Sequence, residues 1–259
     1  MVHVVMDSSL KTCVLVTPVW NDSNRLARFG PQLAEALAAS NLRVHWVVAD
    51  DGSSRIEQQA LVGLVRDFSK SYASIELQVN SQRQYKGGAI YHVWDQSTEF
   101  DYLAFVDADG AIEAQTVIKI LKQAMEQTHP AALVGIRQHT LGAPVRRNWK
   151  RSLFSEVFQV VVGFFLGVQI RDTQCGIKCI PADYYQSIAS TLRERGFVFD
   201  LELLTALQAS GYPIYSVAIT WREVAGGKID AWKDMWPMLA GMIRIRNRLR
   251  AGDYGDGYK

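Results

Sequence analysis

The first half of the chain alternates between short continuous apolar runs and longer segments with apolar residues on one helical face. The continuous runs predict buried strands at residues 13–17, 44–49, 75–79, 103–106 and 131–136. Helical spacing between these runs is seen for Leu26, Phe29, Leu33, Leu37, Leu61, Leu64 and Phe68. Strands that alternate with helices indicate an α/β fold with a mostly parallel sheet covered on both faces.

The second half departs from this pattern. A basic stretch at residues 137–155 contains no acidic residue and leads into an apolar segment at residues 157–168. The C-terminal part carries Trp232 and Trp236 and then a series of arginines, which predicts an amphipathic basic helix. We therefore predict an N-terminal extension at residues 1–11, one α/β domain at 12–230, and a C-terminal helix and tail at 231–259.

Composition narrows the class of protein. With 259 residues, 48% hydrophobic and 21% charged, the chain is typical of a soluble globular protein. Three cysteines predict no disulfide framework and a reducing compartment. Residues 1–11 lack a signal-peptide pattern, and the apolar segment is shorter than the roughly 20 residues of a membrane span. We expect a cytoplasmic protein that lies peripherally at the membrane; the sequence gives no indication of its oligomeric state.

The most informative polar motif is Asp107-Ala108-Asp109, directly after the fourth predicted strand. Side chains two apart on a strand point to the same face, so the two carboxylates are expected to converge. Hard oxygen ligands of this kind suit Mg²⁺ or Mn²⁺ and leave coordination positions open for phosphate oxygens. The alternative is a polar turn at a strand end, because Asp and Gly are common turn formers.

Other polar motifs also follow strands or begin helices. Asp50-Asp51-Gly52-Ser53 follows the second strand and is either a turn or a ligand for a nucleoside base or ribose. Lys86-Gly87-Gly88 begins a helix, where exposed amides and an ammonium group favour phosphate. Ligands of open α/β sheets bind at the carboxyl ends of the strands, so we expect these motifs and the Asp pair to form one site.

The basic stretch predicts a second binding function. Its cations next to an apolar segment suit a phosphate head group at a membrane surface better than nucleic acid, although a solvated face is the simplest alternative. Its candidate acceptor-phosphate residues are Arg137, Arg146, Arg147 and Arg151. Two further carboxylates, Asp172 and Asp200, are either helix caps or site residues, and spacing alone does not decide.

Taken in order, these motifs resemble those of family 2 of the inverting glycosyltransferases. The motifs are Thr17-Pro18-Val19-Trp20-Asn21-Asp22, Asp50-Asp51-Gly52-Ser53, Lys86-Gly87-Gly88, Asp107-Ala108-Asp109-Gly110-Ala111 and Arg171-Asp172-Thr173-Gln174-Cys175-Gly176-Ile177-Lys178. The likeness extends over roughly residues 12–250 and is greater to dolichyl-phosphate glucose synthases than to mannose synthases. This chain has Trp20 and Asp22 where the family usually has Tyr and Glu. Ala111 replaces a metal-binding Gln of the mannose branch.

The resemblance implies a GT-A fold, a nucleotide-sugar donor and a divalent metal. It also implies that Pro18, Trp20, Asp22 and Asp51 line the nucleoside pocket, with Asp50 beside them. Lys86 would lie near the base or diphosphate, and Asp107 and Asp109 would bracket ribose, diphosphate and metal.

We therefore expect an inverting in-line displacement that transfers a hexose, with UDP-glucose as the favoured donor. A polyprenyl phosphate acceptor is largely dianionic and needs only positioning. A sugar hydroxyl acceptor needs a base, which Asp172 or Asp200 would supply. The competing classes are a family 2 enzyme with a saccharide hydroxyl acceptor, a nucleotidylyltransferase, and a non-catalytic nucleotide-binding module.

Overall fold

The computed structural model describes residues 10–138, 172–222, 224 and 231–255. The strands are β1 (Thr12–Val19), β2 (Arg43–Asp50), β3 (Ile75–Val79), β4 (Tyr102–Val106), β5 (Ala132–Gln138), β6 (Ile177–Pro181) and β7 (Ile214–Thr220). The α-helices are α1 (Ser23–Ala39), α2 (Arg55–Phe68), α3 (Tyr85–Trp94), α4 (Ala114–Met125), α5 (Ala182–Ile188), α6 (Phe199–Ala209) and α7 (Ala231–Ala251).

The strands form one sheet in the order β3-β2-β1-β4-β6-β5-β7. All neighbouring pairs are parallel except those made by β6, which runs antiparallel to both β4 and β5. The mostly parallel α/β sheet predicted from the sequence is thus confirmed. β6 is absent from the sequence prediction because Lys178 interrupts its short apolar run.

The sheet is buried on both faces, which explains why its strands read as continuous apolar runs. On β1, Val14 and Val16 belong to a core with helices α3, α5, α6 and α7. Cys13 and Leu15, which alternate with them, belong to a second core with α1, α2 and α4. The central strands β2, β1, β4 and β6 are therefore covered by helices on both faces of the sheet. In the described part of the chain, only the ends of these strands are left open for a ligand.

Helix α7 packs into the first core through residues on one side. Met238, Met242 and Ile245 are buried there, whereas Trp236 is 71% exposed. The amphipathic character predicted for this segment is seen. Two of its arginines, however, form ion pairs with glutamates elsewhere in the protein. Arg244 pairs with Glu194, and Arg248 pairs with the fully buried Glu202. In the part of the chain that the structure describes, no helix combines the length and apolarity required to cross a membrane.

Candidate functional site

The carboxyl ends of β1, β2 and β4 lie side by side at one edge of the sheet. Val19 pairs with Asp50 across β1 and β2, and the N–H of Asp51 donates to the carbonyl of Val19 at 2.8 Å. The amino end of β6 arrives at the same edge because this strand is antiparallel. There the N–H of Asp107 donates to the carbonyl of Gly176 at 2.9 Å. The structure thus brings the polar motifs of both halves of the chain together.

Asp107 and Asp109 lie at the centre of this edge, and both are partly exposed. The absence of a side chain at Gly176 leaves room for the Asp107 carboxylate, because a Cβ at residue 176 would lie 2.5 Å from the Asp107 Oδ2. The Asp109 Oδ1 accepts the N–H of Ala111 at 2.9 Å. Burial raises the pKa of Asp109, opposed by this N–H and by Arg25. Within the described ranges, no three His, Cys, Asp or Glu side chains converge as a metal-binding group.

Lys86 connects Asp107 to a buried charge network. Its Nζ lies 2.7 Å from the Asp107 Oδ1 and 4.0 Å from the Asp200 Oδ2. The other oxygen of Asp200 is 2.5 Å from the Nζ of Lys178, which has no exposed surface. Burial alone would lower the pKa of Lys86, but the carboxylates of Asp107 and Asp200 outweigh it and raise that pKa. Lys86 therefore remains a charged ammonium at neutral pH at the edge of the site.

The amides at the start of α3 have a different role from the one expected. The N–H groups of Gly87 and Gly88 donate to the carbonyl of Arg195 at 2.8 and 3.3 Å. A Cβ at Gly87 would lie 2.5 Å from the Phe199 Cβ. The prediction that these amides bind phosphate is thus wrong. The glycines instead allow the loop before α6 to approach α3, and only the Lys86 side chain reaches the site.

The side of the site where the sequence predicts the nucleoside pocket contains a short stack of aromatic rings and a guanidinium. The guanidinium of Arg83 lies 3.4 Å from the Trp20 ring centroid and 4.7 Å from that of Tyr85. The Asp51 Oδ1 accepts the N–H of Gln84 at 2.6 Å, and its other oxygen is 3.9 Å from Arg83. Burial raises the pKa of Asp51 even though this N–H and Arg83 oppose the effect. Cation–π stacking thus fixes the loop that carries Arg83.

Two residues predicted for this pocket differ in their placement. Pro18 is half-buried in the next-to-last position of β1. Asp50 is fully buried, and its carboxylate accepts the N–H of Ser53 and a 3.0 Å hydrogen bond from Gln58. Asp50 therefore closes the turn after β2 and does not face the site, whereas its neighbour Asp51 borders the loop that carries Arg83.

Arg137 and Asp172 form a bidentate ion pair where β5 ends. The Nε and Nη2 of Arg137 lie 2.7 and 2.8 Å from the two Asp172 oxygens, and the Arg137 backbone N–H adds a third bond at 3.1 Å. The Arg137 guanidinium also lies 5.4 Å from the Trp221 ring centroid. Arg146, Arg147 and Arg151, which the sequence analysis predicts to bind acceptor phosphate, lie outside the described residues.

Three site residues were missed by sequence reasoning. Arg25 lies 3.3 Å from Asp22 and 3.8 Å from Asp109, and its spacing of three from Asp22 on a helix is a signal that could have identified it. A lysine in a buried strand requires a buried anion, which would have pointed to Lys178. Arg83 lies in a polar loop, where neither helical spacing nor burial in a strand marks it as a site residue.

The family model for glycosyl transferase family 2 matches residues 14–186 of this chain. Three dolichyl-phosphate beta-glucosyltransferases are among the similar proteins. The protein of Drosophila melanogaster is 30% identical over 88% of this chain and 72% of its own length. The human protein is 28% identical over 96% of this chain and 79% of its own. That of Dictyostelium discoideum is 26% identical over 92% of this chain and 75% of its own.

Solved structures with the same fold include glucosyl-3-phosphoglycerate synthase of Mycobacterium tuberculosis. Its complex with Mn²⁺, uridine diphosphate and phosphoglyceric acid has a TM-score of 0.65 at 14% identity, covering 91% of this chain and 78% of that one. Its complex with Mn²⁺ and UDP-glucose has a TM-score of 0.64 at 12% identity, covering 91% and 79%. The match over most of the sequence and the shared GT-A architecture lead to one conclusion: the chain belongs to glycosyl transferase family 2.

Proposed function

We propose that this chain transfers glucose from UDP-glucose to a polyprenyl phosphate, with inversion and with Mg²⁺ or Mn²⁺, at the cytoplasmic face of a membrane. The names of its relatives, dolichyl-phosphate beta-glucosyltransferases, support a lipid phosphate acceptor and a glucosyl group. The complexes of the structural neighbours with UDP-glucose and Mn²⁺ support the donor and the metal. The proposal therefore extends the family assignment to a substrate pair.

The metal would be held by Asp107 and Asp109. Their hard carboxylate oxygens fit Mg²⁺ or Mn²⁺, and two cationic side chains, Lys86 and Arg25, already point at them. When bound, such an ion supplies positive charge to the leaving diphosphate. Because only two protein carboxylates are available among the described residues, donor oxygens would have to complete the coordination.

The remaining donor contacts come from side chains around this edge. Lys86 would hold the diphosphate, whose charge grows as the glycosidic bond breaks. Asp51, Asp22, Pro18 and Trp20 would border the nucleoside. Each of them lies at the end of β1 or β2 or in the turn that follows, so rigid strands position the groups that fix the donor.

The observation that carries the acceptor assignment is the state of the two candidate bases. Asp172 is bound by the guanidinium of Arg137, and Asp200 is bound by Lys178. Both carboxylates are buried and occupied by these cations, so neither offers an exposed oxygen to a sugar hydroxyl. A phosphate dianion attacks without a base, and Arg137 at the end of β5 is a positioner for it.

An acceptor panel tests the proposal. The purified protein is incubated with UDP-[¹⁴C]glucose and Mn²⁺ and one of three acceptors: undecaprenyl or dolichyl phosphate in detergent, 3-phosphoglycerate, or free saccharides. We expect label in the lipid fraction only, and none after EDTA treatment. Label in a saccharide would favour the second candidate, a family 2 enzyme with a hydroxyl acceptor. Flotation with liposomes tests the proposed membrane location separately.

A further inference from the structure

Each of the two carboxylates that we assign to the metal faces a cationic side chain of the protein. The Nζ of Lys86 lies 2.7 Å from the Asp107 Oδ1, and the Nη1 of Arg25 lies 3.8 Å from the Asp109 Oδ2. The two cations come from different helices, since Arg25 lies on α1 and Lys86 on α3. A divalent ion that binds both carboxylates must therefore compete with two positive charges that are already there.

Each of these cations also has a second carboxylate outside the metal pair. The Nε of Arg25 is 3.3 Å from the Asp22 Oδ2, and the Nζ of Lys86 is 4.0 Å from the Asp200 Oδ2. Lys178 in turn fixes Asp200. Each cation can therefore leave its metal carboxylate and keep an anionic partner, which avoids the cost of an unpaired charge in a partly buried site.

We infer that Arg25 is a further donor-binding residue, and that Arg25 and Lys86 pass from the metal carboxylates to the donor diphosphate when metal and nucleotide bind together. A guanidinium is well suited to phosphate oxygens, and the Arg25 side chain is only 12% exposed. The inference rests on the proposed function, because it requires a nucleoside diphosphate at this edge of the sheet.

The exchange makes metal and nucleotide binding cooperative. Without nucleotide, a divalent ion would displace Arg25 and Lys86 from their carboxylates with no new anion for them to bind, so we expect its affinity to be low. With nucleotide, the displaced cations find new anions on the diphosphate. Coupling of this kind is reciprocal, so each ligand raises the affinity for the other by the same factor.

Arg25→Gln tests the inference, because it removes the charge and keeps a polar side chain. Calorimetry would measure Mn²⁺ binding without nucleotide, and then UDP binding at saturating Mn²⁺. We expect Mn²⁺ alone to bind more tightly and UDP to bind more weakly, each by about fivefold or more. The opposite signs separate this role from a structural one, since a merely distorted site would weaken both. Arg25→Lys should recover part of the UDP affinity.

Arg28→Gln is the matched control on the same helix. Arg28 is exposed and donates to the carbonyl of Asn24, so both constants should stay at their wild-type values. If Arg25→Gln weakens the binding of both Mn²⁺ and UDP, or changes the binding of neither, the inference is overturned while the proposed donor stands. If the wild-type protein binds UDP in neither the presence nor the absence of Mn²⁺, the proposed function and the inference are overturned together.

Discussion

Asp50 and Asp51 show how one residue of register separates a structural carboxylate from a site carboxylate. The pairing of Val19 with Asp50 places Asp50 in the last position of β2, where its side chain is buried and bound by Ser53 and Gln58. Asp51 is the first residue beyond the strand and bonds the loop that holds Arg83. The sequence predicts both carboxylates at the pocket; their roles differ because tertiary pairing ends β2 at Asp50.

Replacement of Asp109 by Asn tests the metal assignment. Asn keeps an oxygen for the Ala111 N–H, so the turn should survive, but the charge that attracts the metal is lost. We expect Mn²⁺-dependent transfer to fall by about 100-fold or more, with an unchanged circular dichroism spectrum. Asp67→Asn, on the exposed end of α2, is the control and should retain full activity. Full activity of Asp109→Asn would remove this residue from the metal site.

Lys178→Met tests the buried ion pair with Asp200. The variant leaves the Asp200 carboxylate buried without its nearest cation, so we expect the free energy of unfolding to fall by about 3–5 kcal/mol in urea titrations. The exposed Lys122 on α4 is the comparison, because its pair with Glu126 lies in solvent. Lys122→Met should change the free energy of unfolding by less than about 1 kcal/mol. Equal effects of the two variants would argue against a buried charge network.

At the scale of the elements, the sequence predicts those helices and strands that are determined by the pattern of their own residues. The helix through Leu26, Phe29, Leu33 and Leu37 is α1, and its apolar face is buried as the spacing requires. β6 could not be predicted in the same way, because its lysine is tolerated only through a carboxylate that α6 supplies from elsewhere in the chain. The glycines that begin α3 were misinterpreted for a related reason, since the loop at Arg195 that needs them is remote in sequence.

Gly87→Ala should therefore be strongly destabilising. The added methyl group would lie 2.5 Å from Phe199 and 2.8 Å from the Arg195 carbonyl, which forces α3 and α6 apart. We expect a loss of about 1–3 kcal/mol in the free energy of unfolding. Gly63→Ala on α2 is a matched control, because nothing lies within 4 Å of its added Cβ. That variant should be neutral or more stable by up to about 1 kcal/mol.

At the scale of the whole molecule, the sheet separates two cores, and the three cysteines of the protein lie in one of them. Cys13, Cys175 and Cys179 are fully buried thiols in the core with α1, α2 and α4. Burial raises the pKa of Cys175 to about 12 and that of Cys13 well above its usual value. Thiolates are the reactive form, so Cys13 and Cys175 are protected both by lack of access and by protonation, and Cys179 is protected by burial.

Thiol labelling should thus report the unfolding of the whole molecule. We expect no reaction of the native protein with a thiol reagent at pH 8 over the time in which the urea-unfolded protein reacts completely. Over much longer times, UDP together with Mn²⁺ should slow the residual labelling of the native protein, because ligands that bind only the native state lower the population of open forms. Fast reaction of one thiol in the native protein would show that its part of the core opens on its own.

The clasp between Arg137 and Asp172 has a consequence for how this enzyme could be re-engineered. Residues 139–171 lie between β5 and β6 in the sequence, and three hydrogen bonds join Arg137 to Asp172 on either side of them. The edge to which we assign the donor is formed by β1, β2, β4 and the start of β6, all of which pair with one another in the sheet. We therefore expect that replacing residues 139–171 by the matching stretch of a relative, with Arg137 and Asp172 kept, changes acceptor choice and leaves UDP affinity unchanged.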